Sequence, residues 1–355
     1  CDQSDPSKIA DTINKRFVDV ASNIRPLQLC DLPSYLPSQR PPTVQPWEVY
    51  RELQRLKPGK SAGPDGVPTR LIRTFAYEIA YPLTTILNSS FAEGEVPNRW
   101  KKAIVVPIPK EKPARIDKLR PIALSDHFVK VAELFITKWL MSDISSKLDA
   151  KQFGSRPGRS TTHCLVDIVN FLTKQADKLG TTSTLVTTDF SKAFDKVDHT
   201  VVISKLIHLV SCPSLVPWIS NFLTGRTQCV RYQGVMSTWA PVNAGVPQGT
   251  RLGPILFLVL INDALASSNL EHWKYVDDMT IAEARPRGAA AEIHNTLSEL
   301  NTWCNNNAMQ LNASKCHVMR VNFGKTQLPP INVSLGDQTL DEVQTIKALG
   351  VLLQT

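Results

Sequence analysis

Apolar positions along the chain alternate between a helical and a strand period, and the switches mark its elements. In "WEVYRELQRL" the apolar residues Val49, Leu53 and Leu56 fall on one helical face, the loop "KPGKSAGPDGVP" follows, and a second helical stretch begins near Thr69. "AIVVPIP" is a short β-rich run. "THCLVDIVNFLTKQADKLG" predicts a helix with Leu165, Ile168, Leu172 and Ala176 on one face, ending at Gly180. "STLVTTDF" then predicts a β-branched strand running into Asp189, and "CVRYQGVMSTWAPV" a strand, turn and strand. "GVPQGTRLG" leads into an apolar helix from Pro254 onwards, and "EHWKYVDDMTIAEA", residues 271 to 284, has the pattern of a β-hairpin. Finally Ile293, Leu297, Leu300 and Cys304 form one stripe, and "CHVMRVNF" returns as a strand. Helices interleaved with antiparallel hairpins predict an α+β fold, an antiparallel sheet with helices packed on one face. No internal repeat is visible.

The chain has 355 residues, 42% of them hydrophobic, which is enough for a sizeable core and more than one subdomain. Six prolines between residues 26 and 46 (Pro26, Pro33, Pro37, Pro41, Pro42, Pro46) predict an extended connector, so residues 1–46 read as an upstream linker and a compact domain starts near Trp47. The chain opens on Cys1 rather than Met and carries no leader-like apolar run, which reads as a piece of a longer polypeptide. The best spanning candidate, "PILFLVLINDALA", is too short and is broken by Asn262 and Asp263, so no membrane role is expected. Seven cysteines are scattered without CxxC pairs, which predicts reduced packing thiols; Cys304, Cys316 and His317 lack a fourth ligand at zinc-finger spacing.

The net charge is +8, compatible with a polyanionic partner. Its distribution is more informative. Residues 101–120 hold Lys101, Lys102, Lys110, Lys112, Arg115, Lys118 and Arg120 against only Glu111 and Asp117. Such a patch is either a solvated loop between a strand and a helix or a clamp on phosphates.

Asp277 and Asp278 lie side by side inside the hairpin pattern. Adjacent carboxylates repel, and an exposed turn, where Asp is common, would explain them. A metal-binding turn is the alternative, and it needs a third acid. Asp189, at the end of a hydrophobic strand, is the candidate, because adjacent strands of one sheet would bring the three together. Three acids in a small volume are tolerable when cations neutralise them, and oxygen-rich sites suit Mg²⁺. Two such ions roughly 3.5 to 4 Å apart activate a hydroxyl and stabilise a leaving phosphate.

An ordered series of motifs then carries a resemblance. "GPDGVP" at 63–68, "VVPIPK" and "LRPIAL" within 105–124, "QFGSRPGRST" at 152–161 and "DFSKAFDKVDH" at 189–199 come first. "GVPQGTRLGPILF" at 245–257, "YVDD" at 275–278, "LNASKC" at 311–316 and "ALGVLL" at 348–353 complete it. The chain resembles the reverse transcriptases of non-LTR (LINE-type) retrotransposons, related to those of group II introns, from about Trp47 to its last residue. The "GPDG" element and the insert around residue 155 place the likeness on the non-LTR and intron branch rather than the retroviral one.

The resemblance implies a right-hand polymerase fold, with fingers over 47–180, a catalytic palm over 181–330, and a primer-grip region over 331–355 at Leu349 and Gly350, truncated before a thumb. It implies that Asp189, Asp277 and Asp278 hold two Mg²⁺ ions, with Mn²⁺ as a substitute, for attack of a primer 3′-hydroxyl on the α-phosphate of a deoxynucleotide. Phe194 matches the steric gate, where a bulky ring rejects a 2′-hydroxyl. Lys110 and Arg120 match the residues that hold the triphosphate. Gln248 and Gly249 match those packed on the nascent base pair, and Phe190 and Tyr275 flank the acids in the substrate-binding set. Lys315 matches a lysine assigned to protonating the pyrophosphate leaving group, a general-acid role. Asp195, Asp198 and His199 are read as structural residues at the start of the next helix.

The implied partners are an RNA template, a DNA primer or nicked target DNA, and dNTPs, within a ribonucleoprotein containing the element's own RNA. The implied setting is intracellular, in the nucleus. Two other classes stay open: a non-catalytic or decayed RNA-binding scaffold of the same fold, which would be expected to have lost a metal acid, and an RNA-dependent RNA polymerase, against which Phe194 and the "PQG" element stand.

Overall fold

Strand Thr181–Thr188 sits at the centre of a five-stranded sheet, and its five threonines and Val186 are β-branched residues that suit a pleated strand. The computed structural model describes residues 5–31, 39–113, 115–322 and 331–354. Cys1, Pro33 and Pro37 lie outside the described residues. The chain divides into two compact units, one made of the residues up to Ser146 together with Phe194–Leu256, the other of Lys147–Ala193 with the residues from Phe257 on. Each unit draws on both the 47–180 and the 181–330 stretches. No helix among the described residues is long and apolar enough to cross a membrane.

The sheet of the second unit runs, edge to edge, Asp341–Glu342, His317–Val321, Thr181–Thr188, Asp278–Pro286 and Glu271–Tyr275. The four longer strands are antiparallel to their neighbours, and only Asp341–Glu342 pairs parallel. On one face, Leu185, Ala282 and Met319 are aligned by register and pack with Cys164, Ile168 and Trp273. Helix Thr161–Ala176 covers this face through Cys164 and Ile168, its two buried residues, while Leu165 and Leu172 are only partly buried. The contact stripe is thus turned slightly from the one expected. On the opposite face Val186, Ile281 and Val318 are buried as well. The sheet is thus buried on both faces at its centre, although six of the central strand's eight residues are threonine or serine and only Leu185 and Val186 are apolar. In helix Ile293–Asn306 the expected stripe Ile293, Leu297, Leu300 and Cys304 is buried throughout.

In the first unit, strand Lys102–Pro109 pairs antiparallel with Leu119–Leu124 and parallel with Arg226–Tyr232. Helix Pro6–Asp19 lies against this sheet, within the stretch expected to be linker: Asp5 caps it, Pro6 starts it, and Ile13 packs on Val105 and Val230 with Ile9 and Phe17 beside it. The expected turn in "CVRYQGVMSTWAPV" forms at Gln233 and Gly234, both at positive φ, before Val235–Met236. Trp218 anchors the helical side, fully buried, stacked on Phe222 and donating its indole N–H to Ser90 Oγ at 2.9 Å.

Helix Leu252–Ile261 starts two residues before Pro254. Its first free N–H groups explain the earlier start. Glu133 Oε2 accepts from Arg251 N at 2.6 Å and Leu252 N at 3.0 Å, and Thr250 Oγ1 accepts from Gly253 N at 3.2 Å. A fully buried glutamate from helix His127–Ile144 thereby caps an element more than a hundred residues away in sequence.

Candidate active site

Tyr275 and Asp278 form the last pair of the hairpin, which leaves Val276 and Asp277 as a two-residue turn. Val276 has φ +60 and Asp277 is not at positive φ, the sign pattern of a type II′ turn. Glycine usually occupies the first of these positions, so a β-branched residue there is held by its surroundings. Thr188 pairs with Met279 on the neighbouring strand, so Asp189, the next residue, emerges beside the turn. The backbone fixes it there, since Asn312 N donates to Asp189 O at 2.8 Å and Phe190 bridges Leu311.

Crowding among these acids bears on their ionisation. Desolvation by the surrounding chain, then the charges of Asp277 and Asp189, push the Asp278 carboxyl up to about 6, with Lys315 pulling the other way. Asp278 as a residue remains exposed, so the two neighbouring charges act on it more than enclosure does. Lys315, on the short 3₁₀ turn Ala313–Lys315, places Nζ 3.1 Å from Asp189 Oδ2. Three carboxylates under mutual repulsion are the donor set that a hard divalent cation satisfies, and in that chemical sense the residues fit one. Among the described residues no three His, Cys, Asp or Glu side chains are drawn into a ready-made metal cage.

The other expected site residues fall as follows. Tyr275 is half-buried at the end of its strand. Phe190 is 5% exposed, edge-on to Trp303 at 6.5 Å between centroids. Its ring packs in the core and anchors the strand end. Phe194 is half-buried, neither core nor fully solvated. Lys110 and Arg120 are exposed at the open end of their hairpin, where Lys110 N donates to Lys118 O and Arg120 pairs with Ile108.

Gln248 and Gly249 lie along the edge of strand Leu119–Leu124. Gln248 O accepts from Ala123 N at 2.8 Å, and a Cβ on Gly249, which has φ +112, would stand 2.8 Å from Ala123 O. Gln248 Nε2 donates to Asp195 Oδ1 at 3.3 Å. Asp198 caps helix His199–Leu209 through Thr200 N and Val201 N, and buried His199 hydrogen-bonds Gly245 O through Nε2 at 2.7 Å, local structural duties for both. Near Leu349, a small cavity is lined by Trp273, Tyr275, Asp278, Met279 and Lys347.

Three groups were missed by reading motifs. Lys274 is fully buried beside the turn, its Nζ 2.6 Å from Asp149 Oδ2 and bonded to the carbonyls of Ile261 and Asn262. Burial alone would raise the Asp149 carboxyl, but bonds from His272 and Lys274 outweigh it and hold the group well below the usual carboxylate range. Gln152 binds the turn itself, Oε1 accepting from Val276 N at 3.1 Å and from Gly154 N at 2.8 Å. Asp126 accepts from Asp65 N at 3.0 Å and so pins the "GPDG" loop. No local pattern announces any of them, because each depends on a partner far away in sequence.

Comparison with known proteins gives the family. The model of the family "Reverse transcriptase (RNA-dependent DNA polymerase)" matches residues 108–353. The chain is 29% identical over 321 residues to "RNA-directed DNA polymerase from mobile element jockey" of Drosophila melanogaster, covering 86% of this chain and 34% of that protein. It is 29% identical over 329 residues to "Probable RNA-directed DNA polymerase from transposon BS" of the same species, with 86% and 35% covered. To "Retrovirus-related Pol polyprotein from type-1 retrotransposable element R1" of Bradysia coprophila it is 25% identical over 330 residues, with 88% and 32% covered. The chain spans about a third of the length of these curated relatives. It belongs to the reverse transcriptase (RNA-dependent DNA polymerase) family, in its non-LTR retrotransposon branch.

Proposed function

We propose that this chain is the polymerase core of an RNA-directed DNA polymerase, extending a DNA primer on an RNA template with dNTPs. The observation that carries the reading is the hairpin turn that crowds Asp277 and Asp278 beside the end of the strand leading to Asp189, a concentration of charge that serves no packing purpose. Residues 47–180 would act as fingers, 181–330 as the palm and 331–355 as the primer-grip region.

Asp189, Asp277 and Asp278 would hold divalent metal, Mg²⁺ with Mn²⁺ as a substitute. Such ions, when bound, lower the pKa of a hydroxyl and offset charge on a phosphoryl group. The remaining work falls to the chain. Lys110 and Arg120 supply exposed cations for the triphosphate, where a guanidinium binds two oxygens at once. Phe194 offers a half-buried ring against the sugar and no hydrogen-bond partner for a 2′-hydroxyl. Gln248 and Gly249 offer the base pair a surface free of bulky side chains, because a Cβ at 249 has no room. Lys315 holds a proton at Nζ, within reach of Asp189, for the departing pyrophosphate.

The test is primer extension by the 355-residue chain on an RNA template annealed to a DNA primer, with Mg²⁺ or Mn²⁺. Template-directed addition of dNTPs is expected. Absence of any addition, or equal use of ribonucleotides, would contradict the reading.

A further inference from the structure

The two carboxylates of the hairpin turn depend on a backbone conformation that valine does not favour. Val276 sits at φ +60, a conformation that β-branched residues rarely adopt. Its support comes from residues 151–154, which run alongside the hairpin as a short parallel addition: Lys274 N donates to Lys151 O at 2.9 Å, and Phe153 N donates to Lys274 O at 2.8 Å. This strap is itself tied down. Asp149, two residues before it, accepts from the buried Lys274 ammonium and from Lys151 N, and its own N–H donates to Asn262 Oδ1 at 2.7 Å.

From the strap the Gln152 side chain reaches the turn. Gln152 is 2% exposed, and its Oε1 accepts both Gly154 N–H and Val276 N–H. The approach is as close as a backbone allows: a Cβ on Gly154 would stand 2.5 Å from Val276 N and Cγ2. Glycine at 154 is therefore required by the proximity of the turn.

We propose that Gln152 is a positioning residue for the Asp277–Asp278 pair, its amide oxygen holding Val276 in the left-handed conformation that presents both carboxylates. For its catalytic consequence the inference rests on the polymerase reading; for its structural content it does not. A glutamine suits the task because its neutral oxygen accepts two N–H groups without adding a fourth negative charge beside the acids. A misplaced reacting group of about 1 Å costs on the order of a hundredfold in rate, so loosening the turn should be felt in the chemical step and not in nucleotide binding.

The test uses the full chain and its Gln152→Met variant, which keeps volume and removes the acceptor. Expected are a fall of about ten- to a hundredfold in maximal dNTP incorporation, a KM for dNTP within about twofold of the original, and faster hydrogen exchange at the Val276 amide. Adding Val276→Gly should recover most of the rate, since glycine adopts positive φ without help. Unchanged rate and exchange in Gln152→Met, or no recovery on adding Val276→Gly, would overturn the proposal. Should Gln152→Met fail to fold, the unaltered chain decides: a protected Val276 amide supports the clamp, and an amide exchanging as fast as an open turn overturns it. An unaltered chain that incorporates nothing speaks against the polymerase reading, while amide exchange still decides the clamp.

Discussion

Lys315 Nζ lies 3.1 Å from Asp189 Oδ2, an ion pair between the acid at a strand end and a lysine whose side chain is 62% exposed. A partly solvated pair of this kind contributes less than about 1 kcal/mol to stability. Lys315→Ala should therefore leave the melting temperature within a few degrees while lowering single-turnover incorporation by about a hundredfold or more, the scale of a lost general acid. Equal incorporation rates in rapid-quench measurements would remove Lys315 from the chemistry.

Phe194 is half-buried and lies five residues after Asp189. Phe194→Ala should raise ribonucleotide use relative to deoxynucleotide use by at least about tenfold, since a cavity replaces the ring that clashes with a 2′-hydroxyl. Competition between matched dNTP and rNTP on one primer–template reads the ratio directly. An unchanged ratio would assign sugar selection elsewhere.

Burial, with the charge of Asp65 adding to it and the Asp65 N–H opposing, pushes the Asp126 carboxyl up to about 6. An acid whose folded value lies above its unfolded value of about 4 binds its proton more tightly in the folded chain. Its contribution is present below about pH 4 and is lost as pH rises through about 6. Asp126→Asn keeps an oxygen for Asp65 N–H and cannot ionise. Urea unfolding at pH 4.5 and 7.5 should show the variant gaining relative stability as pH rises; parallel behaviour at both pH values would contradict the assignment.

Lys274 is fully buried on Asp149. Truncation leaves the half-buried Asp149 carboxylate short of this cation, with His272 still beside it, so the cost falls at or below the roughly 3 kcal/mol of a broken buried pair. Lys274→Ala should lower the urea midpoint accordingly, whereas Lys110→Ala, at an exposed position, should shift it little. Similar midpoints for both would show that the buried pair does not support the fold.

Legibility in the sequence followed the range of the interactions. The stripe Ile293, Leu297, Leu300 and Cys304 is set within one helix by a 3.6-residue period, and it is buried as expected. The hairpin around Asp277 was likewise readable from local alternation and a short turn. Helix Pro6–Asp19 was hidden because its apolar side is only Ile9, Ala10, Ile13 and Phe17, a weak pattern that matters once Val105 and Val230 lie opposite. The burial of both faces of strand Thr181–Thr188 had no such local sign, since six of its eight residues are threonine or serine and only Leu185 and Val186 are apolar. The burial of the Phe190 ring was out of local view as well, because it depends on Trp303, more than a hundred residues farther along the chain. Gln152, Lys274 and Glu133 were illegible, since a glutamine, a lysine and a glutamate look solvated until distant backbone groups meet them.

The central claim is that the hairpin acids hold the cations of nucleotide transfer, and single-nucleotide incorporation by Asp277→Asn tests it most directly. The substitution preserves size and turn propensity while removing one charge from the crowded group. The account predicts no detectable addition in Mg²⁺ or Mn²⁺ from a protein that unfolds at the same temperature as the original; incorporation at the original rate would contradict it.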